Sequence, residues 1–151
     1  MSAAVSAGEA ASTGQERRFG PWLLTCTGDA CRLSQRLAVE TNKEVVFALT
    51  IVPGEKKTEP VGIVSFPLGG YIAPGVELRV DDRKAYKILV ETCNASGCHA
   101  GFSFTPALLR EFQRGREASF RLWTDKAKSV DIAVSLEAFT AAMKAFQDGI
   151  Q

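Results

Sequence analysis

The chain of 151 residues has no run of 18 apolar residues, so it is not expected to span a membrane through a helix. It has a single histidine, His99. That excludes an all-histidine or two-histidine metal site within one chain. A serine–histidine–carboxylate triad would have to use the same residue, and no G-x-S-x-G elbow is present. G-x-G-x-x-G and G-x-x-x-x-G-K-[ST] are also missing, so no recognised loop cradles nucleotide phosphates. Neither sign of charge dominates: 18 Lys and Arg against 17 Asp and Glu leave a net charge of +1. No global field draws the chain to nucleic acid or anionic lipid. The opening segment, MSAAVSAGEAASTGQERR, lacks the apolar stretch of a secretory signal. An exported form would have lost its signal, with Met1 an added start. That segment also lacks core-forming side chains, so residues 1–18 are expected to be a disordered N-terminal tail.

Four cysteines are present, in two pairs of identical spacing, Cys26-x4-Cys31 and Cys93-x4-Cys98. An even number in local pairs suits an oxidising compartment. The favoured reading is two disulfides, each closing a β-hairpin. The alternatives are four buried reduced thiols or a zinc site. Zinc ligands in a pair are commonly two to four residues apart, so C-x4-C lies at the edge of that range, and neither pair is a C-x2-C knuckle.

Folded structure is expected from about Phe19, as one domain over residues 19–151. Most of it has the two-residue period of strands: Val45, Phe47, Leu49 and Ile51; Val76, Leu78 and Val80; Tyr86, Ile88 and Val90; Val130, Ile132 and Val134. Further strands are expected at 22–26, 31–41, 61–67, 100–104 and 120–122. Two prolines bound an exposed turn at 53–60, and the glycine-rich LGGYIAPG is an irregular connection. About eight or nine short strands suggest a β-sandwich or barrel. Two helices interrupt them. TPALLREFQRG has Thr105 as N-cap, Pro106 at the first helical position and Gly115 at its exit. SLEAFTAAMKAFQDG, at 135–149, is expected to be capped by Ser135 and to pack on the domain through Leu136, Phe139, Met143 and Phe146.

No catalytic constellation emerges. Cys98 and His99 are adjacent, so in a strand their side chains point to opposite faces. Asp81–Asp82 reads as a solvated turn. Arg110, Arg114, Arg116 and Arg121 could form a basic patch, but Glu111 and Glu117 dilute it. Asn94-Ala95-Ser96 matches a glycosylation sequon, which matters only in a cell that glycosylates exported proteins.

GPWLLTC, CRLSQ, SFPLGGYIAPGVELRVDD, ETCNASGCHAG and DIAVSLEAFTAAMKAF, in this order, resemble the invasion-associated locus B family of Gram-negative bacteria. The resemblance runs from about Gly20 to the C-terminus. It departs at Gly69-Gly70-Tyr71, where aliphatic residues are expected. It implies a mainly β fold, an immunoglobulin-like β-sandwich with a short helix and a C-terminal helix. It also implies an exported protein, periplasmic or secreted, with no catalytic residues to carry over; no metal and no cofactor are expected from the residues. The expected partner is a protein or cell-envelope component and not nucleic acid. A small hydrolase or metal-dependent enzyme on the same scaffold is the alternative.

Overall fold

A computed structural model describes residues 15–28, 30–38 and 45–149. Eleven strands and two helices follow one another along these residues. The strands are β1 (Gln15–Phe19), β2 (Trp22–Thr27), β3 (Ala30–Ala38), β4 (Val45–Val52), β5 (Val61–Phe66), β6 (Val76–Val80), β7 (Tyr86–Ile88), β8 (Val90–Asn94), β9 (Gly97–Ser103), β10 (Glu117–Trp123) and β11 (Ser129–Ser135). The helices are α1 (Pro106–Arg114) and α2 (Phe139–Gly149). One antiparallel sheet of seven strands runs β1-β2-β3-β4-β5-β9-β8, and a second of four runs β11-β10-β6-β7. The mainly β sandwich expected from the sequence is therefore present. The chain passes from the small sheet to the large one between β7 and β8, where a single residue, Leu89, stands exposed.

The alternating pattern sets what faces inward. Leu33, Leu49, Ile51, Val64 and Ala100 from the large sheet are buried against Val76, Leu78, Ala118, Phe120 and Val134 from the small one. Ring contacts join the layers, Phe47 to Phe120 at 5.1 Å between centroids and Phe102 to Phe120 at 6.5 Å. The small sheet is too narrow to cover all seven strands. α2 covers the β1–β3 end, with Phe139 edge-on to Trp22 at 5.4 Å. Phe139, Met143 and Phe146 are each at most 1% exposed, and a short helix without such packing is marginal in water.

Two boundaries differ from the sequence reading. The tail expected over 1–18 gives way to β1 at Gln15, whose polar side chains hide a strand held by backbone pairing with β2; residues 1–14 lie outside the described residues. Residues 39–41, the end of the strand expected over 31–41, also lie outside the described residues. The C-terminal helix begins at Phe139, and Ser135 ends β11 instead of capping it. Its Oγ accepts from the Glu137 N–H at 3.2 Å, and Ala138 then takes a positive φ of 62°, which a helix cannot absorb. The first helix has the expected ends: Thr105 Oγ1 accepts from the Leu108 N–H at 3.2 Å. Gly115 leaves it in an extended conformation, its N–H bonded to the Glu111 carbonyl. Glycine is needed there because a Cβ would lie 2.4 Å from Val80 Cγ1. Gly70 has a similar constraint, since a Cβ would lie 2.8 Å from the Trp123 carbonyl oxygen. Close backbone approach thus accounts for one glycine of the Gly-Gly-Tyr departure.

Candidate functional site

Cys26 faces Cys31 across β2–β3, and Cys93 faces Cys98 across β8–β9. Each pair is disulfide-bonded, with Cα atoms 4.0 Å apart. No cysteine is free, so the zinc alternative has no thiolate to use. The first disulfide lies under the end of α2, where a Cβ on Gly149 would lie 2.7 Å from Cys31 Sγ. The second closes a tight turn, in which Asn94 Oδ1 accepts from the Ser96 N–H at 2.9 Å and its hydroxyl at 2.6 Å. The sequon asparagine is thereby engaged in the turn.

His99 is half-buried on the outer face of the large sheet. Its Nδ1 lies 2.9 Å from the Ser65 hydroxyl, and its Nε2 lies 3.4 Å from that of Ser96. Cys98 points inward and is buried. Both ring nitrogens meet hydroxyls, and no carboxylate orients the ring among the described residues. A serine hydroxyl beside imidazole is only part of a hydrolytic centre.

The other polar residues singled out in the sequence are dispersed. Asp81 accepts from the backbone N–H groups of Arg116 and Glu117 at 3.1–3.3 Å and fastens the exit of α1. Arg121 forms a two-pronged pair with Asp131 at 2.8 and 3.1 Å on the outer face of the small sheet. That pairing holds the Asp131 carboxyl below its ordinary value. Arg110 and Arg114 lie beside Arg83 and Glu111 around a hollow of about 210 Å³. The four arginines of REFQRGREASFR therefore do not make one patch.

A different surface brings polar groups together. The large sheet buries its inner face, while its outer face has no covering layer among the described residues. Strand register orders that face into rows. Glu16, Thr25 and Arg32 make one row, with Arg18, Leu23, Ser34, Thr50 and Ile63 beside it, and Val52 pairs with Val61 at the same end of β4 and β5. Arg36, Ala48, Ser65 and His99 make a third. A groove of about 410 Å³ at the β1–β3 end is lined by Glu16, Arg18, Pro21, Leu23, Thr25, Arg32, Ser34 and Arg36. A second hollow, of about 370 Å³, shares Thr25 and Arg32 with it. The sequence signal was the alternation in CRLSQRL, where Arg32, Ser34 and Arg36 occupy one face of β3. It is completed only by Arg18 from β1, whose polar sequence has no strand pattern of its own.

Comparison with known proteins gives a consistent result. Residues 22–147 match the family model described as invasion associated locus B protein. An invasion protein B homologue of Brucella abortus (strain 2308) is 28% identical over 144 residues, 91% of this chain and 81% of that protein. The homologue from Brucella abortus biovar 1 (strain 9-941) matches to the same extent. The crystal structure of invasion associated protein B from Bartonella henselae superposes with a TM-score of 0.79 at 19% identity. That superposition covers 88% of this chain and 96% of the other and reports on the fold.

Proposed function

This chain belongs to the invasion-associated locus B family, and on that premise we propose that it is an exported, non-enzymatic binding module, periplasmic or secreted. It acts by contact with a protein or cell-envelope component and contributes to host-cell invasion or envelope function. The observation that carries the reading is the pairing of all four cysteines into two hairpin disulfides. Disulfides persist in oxidising compartments and are rare in the cytosol. The relatives named as invasion protein B homologues supply the link to invasion. Among the described residues no helix is long and apolar enough to cross a membrane.

The hydrolase alternative rests on the 2.9 Å contact between Ser65 and His99. It is the weaker reading because the serine at Nε2 occupies the place where an orienting carboxylate would be needed. Two measurements test the proposal. Thiol labelling of the protein inside intact cells of its source should find all four cysteines oxidised, in an extracytoplasmic fraction. Screening against esterase, peptidase, phosphatase and glycosidase substrates should give background rates. Reduced thiols in a cytosolic fraction, or turnover abolished by His99→Ala, would overturn it.

A further inference from the structure

The outer face of the large sheet concentrates cations that nothing on the protein uses. Arg18, Arg32 and Arg36 are all exposed. None of them has an ion-pair or hydrogen-bond partner among the described residues. Glu16 is the single carboxylate lining their groove, against three guanidinium groups. The chain as a whole carries a net charge of only +1, so this is a local concentration and not a share of a general excess. We infer that this groove binds an extended glycan bearing tetrahedral oxyanion esters, the chemistry of a sulfated chain.

Three features of the face select this partner. Arg32 and Arg36 are four residues apart on β3, which places their Cα atoms roughly 13 Å apart along the strand. Arg18, two strands away, stands roughly 10 Å to the side. Cations so spaced on an open face suit separate charges along a chain better than one small anion, which a concave pocket would enclose. Secondly, the sheet ladder uses the backbone groups of β2 and β3 on both sides. A peptide docking by strand addition needs a free edge; the edge here is β1, beyond Arg18, so a peptide added there would lie beside the face and not over Arg32 and Arg36, where only side chains are offered. Anionic substituents on a ligand's periphery can be read that way. Each guanidinium fork grips two oxygens of an ester, and the hydroxyls of Thr25 and Ser34 can donate to another. Thirdly, the large exposed apolar side chains, Leu68, Ile72, Leu89 and Val130, lie off this face. The apolar side chains that the face does carry, Leu23, Val52, Val61 and Ile63, are half-buried among polar ones and none stands fully exposed, which separates it from a membrane-docking surface.

The inference deepens the binding-module reading and rests on it for the compartment where such a chain is met. Its test is independent of compartment. Fluorescein-labelled heparin oligosaccharide is titrated with the oxidised protein and followed by anisotropy at several salt concentrations. Binding should weaken at least about tenfold in the variant combining Arg18→Gln, Arg32→Gln and Arg36→Gln. Its salt dependence should fall by about one ion for each arginine in contact, by the counterion-release rule for polyanions. The variant combining Arg110→Gln and Arg114→Gln should bind as the native protein does. Chemical-shift changes in the unsubstituted protein should centre on Thr25, Arg32 and Ser34, which needs no variant to fold. Equal loss from both variants would reduce the effect to net charge and overturn the inference. So would tighter binding of polyglutamate, oligothymidylate or phosphatidylserine vesicles than of the heparin oligosaccharide.

Discussion

Gln35 stands on the inner face of β3, 5% exposed, and meets β11 with both ends of its amide. Nε2 donates to the Ser135 carbonyl at 3.0 Å, and Oε1 accepts from the Ser135 N–H at 3.1 Å. A primary amide offers the donor and acceptor of a peptide group, so Gln35 completes the open side of β11 where that edge strand would lack a neighbour. Gln35→Leu leaves both backbone groups without partners, each worth about 1–3 kcal/mol when buried. A loss of about 3 kcal/mol in urea unfolding is expected, and an unchanged midpoint would mean that water replaces the amide. Tyr86 is the second residue with a testable role. Its phenol donates to Glu111 Oε2 at 2.8 Å. That bond, followed by burial, raises the tyrosine above its ordinary value of 10.0. The bond's stabilisation is complete below tyrosine's ordinary value and is lost as pH rises through the raised one. Tyr86→Phe should therefore lower stability at neutral pH and flatten its alkaline decline. Phenolate absorbance should also lose the step that lies above tyrosine's ordinary value. Neither contact was legible in the sequence, because glutamine and tyrosine are ordinary strand residues until a partner from another element arrives.

Elements were legible where period and punctuation agreed. Thr105, Pro106 and Gly115 mark both ends of α1, and the alternation of β4 and β6 gives their buried faces directly. β1 was not legible, since Gln-Glu-Arg-Arg has neither apolar alternation nor strand propensity and its pairing with β2 is a tertiary effect. α2 starts later than Ser135 suggests for a related reason. Ser135 has the chemistry of a cap, but pairing with β10 and Gln35 keeps it extended. The helix itself packs as its stripe requires. Phe139 touches the rings of Trp22 and Phe112 at 5.4 and 5.3 Å. Phe139→Ala should lower stability by about 3–5 kcal/mol, the usual range for a buried phenylalanine. A melting temperature that does not move would show that α2 can be undocked without loss. The arginine groove was half legible: β3 showed two of its cations, and only the unforeseen β1 supplied the third.

At the scale of the molecule, the sandwich has two unequal layers, and the disulfides lie at different places in the larger one. One lies within β2–β3 beneath α2, and the other at the edge formed by β8. Non-reducing peptide mapping should place each bond within one short stretch, Cys26 with Cys31 and Cys93 with Cys98. A peptide joining Cys26 to Cys93 or Cys98 would contradict this arrangement. Each encloses a small loop, for which the chain-entropy model gives about 2 kcal/mol. The variant combining Cys93→Ala and Cys98→Ala should lose about that much and remain folded, because the sheets and α2 form one continuous core.

The order of the large sheet has a kinetic consequence. β1 to β5 are neighbours in the chain as well as in space, but β9 joins β5 only after the chain has left to build β6 and β7 in the other layer. Pairing of Phe66 with Cys98 must therefore close a loop over that excursion, whose entropy has to be overcome before any contact offsets it. Both disulfides bridge successive strands, so neither shortens the excursion. Their reduction should accelerate unfolding and leave the refolding limb of a stopped-flow chevron nearly unmoved. A refolding rate that falls steeply on reduction would instead place hairpin closure, and not the return of β9, at the barrier.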